Sequence, residues 1–231
     1  IAMRNYLFGL ILLAYVGTLS ASQDSDFIAA RQAFQTGNAK LLDDYAKRLK
    51  HHALWPYVEY FQLRMVLGTT NIETITNFLS RREGTLVADR LRGDWLKMLG
   101  KSKQWQLFEA EYPFLVNKDN ELMCYYYQHY LNIKDKTALA DARSLWFTSA
   151  SLPDSCTPVF QTLIYSGQIS LEDIWTRIRL ALEEGQTGVA THVSRYLSGN
   201  ETLNNADLNN AAKNPLRYLD AQKNKITTRS D

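Results

Sequence analysis

The sequence lacks the short motifs by which many enzymes and metal proteins are recognised. It contains two cysteines that do not form a Cys-x-x-Cys pair, and none of its histidines lies in a His-Glu-x-x-His string. A zinc site or a thioredoxin-like redox pair is therefore not indicated. Strings of the Gly-x-Ser-x-Gly, Gly-x-Gly-x-x-Gly and P-loop kinds are absent as well, which removes common signatures of serine hydrolases and nucleotide-binding proteins. We expect no catalytic residue, no metal and no cofactor in this chain.

Neither sign of charge is in excess, with 26 Lys and Arg against 24 Asp and Glu and a net charge of +2. A dedicated nucleic-acid-binding protein would concentrate its basic residues on one face. The small basic clusters at 47–52 and 81–82 are interpreted as solvated helix faces. Adjacent carboxylates such as Glu183 and Glu184 diverge on a helix, so they are poor acid–base pairs. We expect no nucleic-acid partner.

Long apolar runs are absent apart from one near the start of the chain. Tyr6–Val16 is apolar and uncharged, follows Arg4, and precedes a stretch of small and polar residues. That order is typical of a secretory signal peptide, and the run is shorter than the roughly 20 apolar residues of a membrane span. A buried N-terminal helix is the alternative. We expect residues 1–22 to be removed, with cleavage between Ser20 and Asp24, and the remaining chain not to insert stably into a membrane.

The predicted export of the chain affects what is expected of its two cysteines, Cys124 and Cys156. Disulfides form and persist in exported proteins, so the pair is predicted to form one. Such a bond requires Cα atoms about 4.4–6.8 Å apart. Two independent buried thiols are the alternative.

Helix signals follow one another along the chain, and strand signals are few. Leu42, Ala46 and Leu49 recur at helical spacing, and Pro56 suits the first turn of a helix. The predicted helices are about 10–15 residues long and are joined by short turns, a pattern typical of an α-solenoid. We predict an all-α fold built as a solenoid of short antiparallel helix hairpins, with a compact irregular bundle as the alternative.

Glycines mark several of the predicted helix ends. One predicted helix ends at Gly100, and Gly167 and Gly185 are predicted to be C-terminal caps. Another helix is predicted to begin at Asn120.

Six short strings between Asp26 and Asn214 occur in the same order as in one known family. The series resembles the N-terminal superhelical region of the soluble lytic murein transglycosylases. The strings are Trp55-Pro56-Tyr57-Val58-Glu59-Tyr60, Arg90-Leu91-Arg92-Gly93-Asp94-Trp95-Leu96, Cys124-Tyr125-Tyr126-Tyr127, Leu145-Trp146, Cys156, and Trp175-Thr176-Arg177-Ile178-Arg179-Leu180-Ala181.

The resemblance implies a fold and a setting. In that family the region is a ring-forming α-superhelix with a cysteine pair that matches Cys124 and Cys156. A lysozyme-like domain on the ring cleaves peptidoglycan glycan strands and leaves 1,6-anhydromuramic ends, using one carboxylic acid in a Glu-Ser motif. No glutamate of this sequence is followed by serine, and the Gly-Leu-Met-Gln string of the catalytic domain is absent. No catalytic residue can therefore be assigned.

We accordingly expect an α-superhelix that forms a partial ring over residues 23–214, with a polar tail or point of truncation at 215–231. The expected function is that of a ring-domain fragment of a periplasmic lytic transglycosylase in murein turnover, with a scaffold or glycan-contact role and no activity alone. The expected partners are peptidoglycan glycan strands, contacted through the full-length enzyme, and other cell-wall proteins. The alternative is an independent secreted helical-repeat module that binds another protein.

Tyr125, Tyr127 and Arg177 are the candidate glycan contacts. The tyrosines at 125–127 point about 100° apart on a helix, so at least one should be exposed or lie beside a groove. Tyr126, Trp146 and Trp175 are expected to pack in the core, because aromatic side chains at helical spacing supply large apolar area.

Arg177 and Arg179 lie about 200° apart around a helix, so they cannot share a face. We predict that Trp175, Ile178 and Leu182 face neighbouring helices and that Arg179 lies along the edge of that stripe. Arg177 would then project outward, to solvent or to a carboxylate. The alternative is that both arginines bind anionic groups of peptidoglycan.

Overall fold

The computed structural model describes residues 23–133, 140–197 and 201–222. Every regular element in these ranges is helical, as the sequence predicted. The helices are α1 (23–35), α2 (Ala39–Arg48), α3 (Trp55–Met65), α4 (Ile72–Arg81), α5 (Leu86–Lys101), α6 (Trp105–Glu111), α7 (Asn120–Asn132), α8 (Thr157–Tyr165), α9 (Leu171–Glu183), α10 (Thr187–Ser194), α11 (Asn205–Lys213) and α12 (Pro215–Gln222). Short 3-10 turns lie at Tyr112–Phe114, Arg143–Trp146 and Asp154–Cys156. The predicted signal peptide lies outside the described residues.

Capping residues explain where several helices begin and end. The Asn71 side chain accepts a 2.8 Å hydrogen bond from the Thr74 N–H at the start of α4. Ser170 and Asp173 form a reciprocal capping box at the start of α9, which satisfies N–H groups that have no partner within the helix. Gly167 and Gly185 follow α8 and α9 with φ of 74° and 69°, the left-handed conformation that ends many helices. Both glycines were predicted to be C-terminal caps.

One helix boundary differs from the prediction. Helix α5 continues through Gly100 to Lys101, whereas the sequence predicted an end at Gly100. The predicted polar tail begins with a helix, α12. Proline fits the first turn of a helix, because the N–H that it lacks would have no partner there, so Pro215 begins an element. Residues 223–231 lie outside the described ranges.

The chain divides into two compact units. Residues 23–98 and 110–117 belong to the first, and the described residues from 99–109 and from 118 onward belong to the second. The core of the first unit contains the fully buried side chains of Phe78, Leu91 and Trp95.

Buried polar contacts also hold the first unit together. The Tyr60 hydroxyl donates a 2.8 Å hydrogen bond to Asp94, and burial raises the pKa of that phenol. The carboxylate of Asp89 accepts hydrogen bonds from the backbone N–H groups of Val116 and Asn117 at 2.7 and 3.1 Å. The side chain of Asp89 thereby fastens the segment after the Tyr112–Phe114 turn to α5.

The core of the second unit is built around Trp146, which is fully buried, and Trp175, which is 5% exposed. The Trp146 indole N–H donates to the backbone oxygen of Asp173 at 3.0 Å. Tyr126 is half-buried and packs against this core. Helices α9 and α10 contact each other extensively. The predicted core positions of Trp146 and Trp175 are therefore found.

The described ranges contain neither a membrane-spanning helix nor a metal-binding cluster. No helix there combines the length and apolar character that crossing a membrane requires. No group of three or more His, Cys, Asp or Glu side chains is gathered there as a metal site would need.

Candidate functional site

Cys124 of α7 and Cys156 of the Asp154–Cys156 turn form a disulfide with an S–S distance of 2.03 Å and a Cα–Cα distance of 4.8 Å. Both residues are fully buried. Two hydrogen bonds reinforce the link: Gln128 Nε2 donates to the Ser155 backbone oxygen at 2.6 Å, and Ser155 Oγ donates to the Glu121 backbone oxygen at 3.2 Å. The segment before α8 is thus fixed to α7 at neighbouring positions.

A cavity of about 320 Å³ lies beside this segment, within the second unit. Residues 151–154 and the start of α8 form one wall, and the first turn of α10 with His192 and Tyr196 forms another. Arg177 of α9 and Phe160 of α8 also line it. We call this space the Arg177 cavity.

Arg177 is the most unusual lining residue, because its charged side chain is only 4% exposed. The guanidinium carbon lies 4.6 Å from the ring centre of Trp146 and 5.6 Å from that of Phe160, within the range of cation–π attraction. Nη2 lies 3.4 Å from the Ala150 backbone oxygen, and Nε is buried without a hydrogen-bond partner. Burial lowers the pKa of Arg177 to about 10, so the group stays charged at neutral pH.

No carboxylate among the described residues pairs with Arg177. The acidic residue that lines its cavity, Asp154, is exposed. Tyr196 packs its ring 5.7 Å from that of Trp146. Burial raises the pKa of its hydroxyl, against the effect of the Arg177 charge, so this phenol stays a neutral donor at neutral pH. The cavity therefore has a buried positive charge at one wall, and its acidic lining residue, Asp154, is exposed and is not paired with that charge.

The predicted orientation of the two arginines is wrong. Arg177 is buried together with Ile174, Ile178 and Ala181, whereas Arg179 has a side chain that is 49% exposed and pairs with Glu172 at 2.6 Å. Leu182, which the prediction placed in the buried stripe, is 37% exposed. The buried stripe of α9 is centred nearer to Ile174 and Ile178 than the prediction assumed, and Arg177 lies three residues after the first and one before the second.

The tyrosines predicted to contact glycan lie in the core. Tyr125 and Tyr127 are each 8% exposed, whereas Tyr126 is half-buried. The Tyr126 ring stacks at a tilt on that of Tyr130, with centres 4.6 Å apart. Of the three candidates, only Arg177 lines the Arg177 cavity.

His192 and Tyr196 of the cavity were not singled out from the sequence. They follow Gly188 by four and eight residues, which places all three on one side of a helical path. The spacing alone does not identify a site, because nothing in the sequence shows that Gly188 borders a cavity. The sequence feature that could have indicated the site is Arg177, a cation at helical spacing from the apolar residues Ile174 and Ala181.

The helices and their packing define the class of the protein as all-α, with the elements of an α-superhelix. Comparison with known proteins agrees. The chain is 26% identical over 201 residues to the soluble lytic murein transglycosylase of Escherichia coli K12, covering 85% of this chain and 30% of that protein. The corresponding protein of Salmonella typhimurium is 26% identical over 173 residues, covering 73% of this chain and 26% of its own length. No protein-family model matches.

Solved structures give the same result. The crystal structure of the 70 kDa soluble lytic transglycosylase Slt70 from Escherichia coli matches with a TM-score of 0.63 and 25% identity, over 91% of this chain and 34% of that one. The lytic transglycosylase Slt of Pseudomonas aeruginosa shares the fold, with a TM-score of 0.60 and 24% identity over 89% of this chain and 33% of its own. The predicted resemblance is confirmed: the chain is similar over most of its length to the soluble lytic murein transglycosylases. It spans about a third of their length.

Proposed function

We propose that the chain acts in peptidoglycan turnover as a superhelical module of a periplasmic lytic transglycosylase, with a scaffold or glycan-contact role. The observation that supports this role is the extent of the likeness, which covers 85% of the chain in sequence and 91% in structure. A structure of Slt70 in complex with bulgecin A matches equally well, with a TM-score of 0.63. That complex is a property of Slt70, and it makes glycan contact the first activity to test here.

The proposed module supplies binding and no bond cleavage. The Glu-Ser string that the resemblance associates with catalysis does not occur in the sequence. A general acid needs both a suitable carboxyl group and a substrate placed within hydrogen-bond reach. The carboxylates of the Arg177 cavity and its surroundings do not form such a centre, since Asp154 is exposed and Asp173 is engaged by Arg143 and Ser170.

The proposal places the chain in the periplasm after removal of residues 1–22. Expression of the complete chain in a Gram-negative host, followed by fractionation, tests this placement. We expect the protein in the periplasmic fraction with a new N-terminus between Ser20 and Asp24. Recovery of the protein from the cytosol with residues 1–22 still attached would contradict this placement.

Sedimentation with purified peptidoglycan sacculi tests the contact itself. We expect the exported chain to sediment with sacculi and to release no anhydromuropeptides into the supernatant. Release of such products, abolished by substitution of a single glutamate, would show that the chain is itself an enzyme. Failure to sediment, with stable binding to a folded protein instead, would favour an independent interaction module.

A further inference from the structure

The Arg177 guanidinium is an uncompensated charge in the second unit. Nε has no hydrogen-bond partner, and the contact from Nη2 to the Ala150 backbone oxygen is long, at 3.4 Å. A buried charge is strongly unfavourable unless it is paired and hydrogen-bonded. Stacking on Trp146 and Phe160 offsets part of that penalty but leaves the Nε donor without a partner.

We propose that the Arg177 cavity binds a singly charged carboxylate that carries a small apolar body. The guanidinium presents N–H donors in a planar fork that matches the two oxygens of a carboxylate. The inference rests on the cavity alone and goes beyond the proposed role in the cell wall.

A helix end contributes further positive potential to the cavity. Helix α10 begins at Thr187, and its N-cap residue Gln186 makes no side-chain capping hydrogen bond. Gly188, in the first turn, lines the cavity, and a Cβ built on it would meet no atom within 4 Å. The amino end of a helix favours anions, so both the helix and Arg177 favour an anion in this cavity.

The charges around the cavity favour a monoanion over phosphate. Among the lining residues, Arg177 is the buried cation, Asp154 is an exposed anion, and His192 is exposed at the rim. One carboxylate balances the guanidinium. A dianion would exceed the charge of the guanidinium and would be repelled by Asp154 more strongly than a monoanion.

Volume and lining indicate the size and character of the rest of the ligand. A space of about 320 Å³ is at the small end of the range of ligand pockets. Leu152, Pro153, Phe160 and Val189 line it with apolar surface, which suits a short alkyl group. A small acyl amino acid or the carboxyl end of a peptide has this combination of carboxylate and alkyl group.

Calorimetric titration of the whole, oxidised chain distinguishes a small acyl amino acid from the carboxyl end of a peptide as the ligand. The probes are N-acetylalanine for a free acid, N-acetyl-trialanine for a peptide end, N-acetylalanine amide for the neutral analogue, and inorganic phosphate. We expect at least one of the two acids to bind and the amide and phosphate to bind at least about tenfold more weakly, since hydrogen bonds between charged groups are the strong ones. Binding of only the first acid would identify small free acids as ligands, and binding of the second would identify peptide ends.

Variants of Arg177 and Gly188 test the site, and a variant on the exposed side of α9 provides the control. Arg177→Met and Arg177→Lys should each weaken acid binding at least about tenfold, because the first removes the charge and the second the planar fork. Gly188→Leu should abolish binding by filling the cavity while Arg177 remains. Arg179→Met, on the exposed side of the same helix, should leave binding unchanged.

Three results would overturn the proposal: no binding of either acid to the unaltered chain, equal binding of acid and amide, or tighter binding of phosphate. If Arg177→Met does not fold, Arg177→Lys and Gly188→Leu decide. Undiminished acid binding by both folded variants would then show that Arg177 is only a packing residue.

Discussion

The ring of Tyr125 occupies the space that a Cβ atom on Gly100 would fill. A Cβ built at that position would overlap Cγ, Cδ2 and Cβ of the tyrosine. Gly100 lies within α5, one residue before its end at Lys101. This glycine is therefore required for close approach between two segments of the second unit, and the helix continues through it.

Gly100→Ala should lower the free energy of unfolding by about 1–2 kcal/mol, because overpacking outweighs the gain in helix propensity. Urea unfolding followed by circular dichroism measures the change. The matched control is Gly188→Ala, where a Cβ meets nothing within 4 Å and the same substitution should be neutral or stabilising. A stabilising effect at Gly100 would contradict the close contact with Tyr125.

The capping box at the start of α9 should make a measurable contribution to stability. Ser170→Ala removes the acceptor for the Asp173 N–H and should lower the free energy of unfolding by about 1 kcal/mol. Thr162→Ala is the control, since the Thr162 hydroxyl is exposed and donates only to the Pro158 backbone oxygen within α8. Equal losses in the two variants would mean that the cap contributes nothing specific.

Stability of the first unit should depend on pH through Asp89. Burial raises the pKa of this carboxyl, but hydrogen bonds from Val116 and Asn117 and the charge of Arg92 outweigh it, so the pKa lies below the ordinary value of 3.8. A lowered folded-state pKa gives stability that is fully present above the unfolded value and is lost as pH falls through the folded one. We expect this loss below about pH 4.

Asp89→Asn should remove that part of the acid dependence and destabilise the protein by about 1–3 kcal/mol at pH 7, because the N–H groups of Val116 and Asn117 lose their charged acceptor. Unfolding curves of both proteins from pH 2 to pH 7 provide the comparison. Asn117→Ala, which removes one of the side-chain contacts to Asp89, should have a smaller effect. An unchanged pH dependence in Asp89→Asn would rule out the assigned role.

The disulfide should stabilise the oxidised protein by about 3–4 kcal/mol in the chain-entropy description, given the length of the loop between Cys124 and Cys156. Urea unfolding with and without dithiothreitol measures the difference, and Cys124→Ala with Cys156→Ala provides a non-reducible reference. Thiol titration of denatured, non-reduced protein should detect no free thiol. Two titratable thiols in protein recovered from an oxidising compartment would contradict the bond.

Local signals predicted most of the fold. The start of α7 at Asn120 and the caps at Gly167 and Gly185 agree with the sequence because helix periodicity and capping depend on residues a few positions apart. The prediction of a helix end at Gly100 is wrong because this glycine is required for contact with Tyr125, some distance along the chain. The predicted polar tail begins with a helix because Pro215 is suited to the first turn of a helix.

The candidate site was much less predictable than the helices. Helical spacing assigns a residue to a face, but the width of the buried face depends on which helices pack against it. On α9 that face includes Arg177 because Trp146 and Phe160 cover the guanidinium. Neither contact has a signature in the sequence near residue 177. The partial ring expected for residues 23–214, and the glycan contacts at Tyr125 and Tyr127, stay predictions.

The bond between Cys124 and Cys156 also bears on when the chain can recognise a ligand. Cys156 lines the Arg177 cavity and ends the turn that the bond fastens to α7. In a reducing cytosol that wall would be held without a covalent link, by hydrogen bonds such as those of Ser155 and by the packing of Phe160 in the core. Oxidation after export would complete the wall. The disulfide would then make ligand binding depend on the compartment. A newly made chain would acquire the complete cavity only after it reaches an oxidising environment.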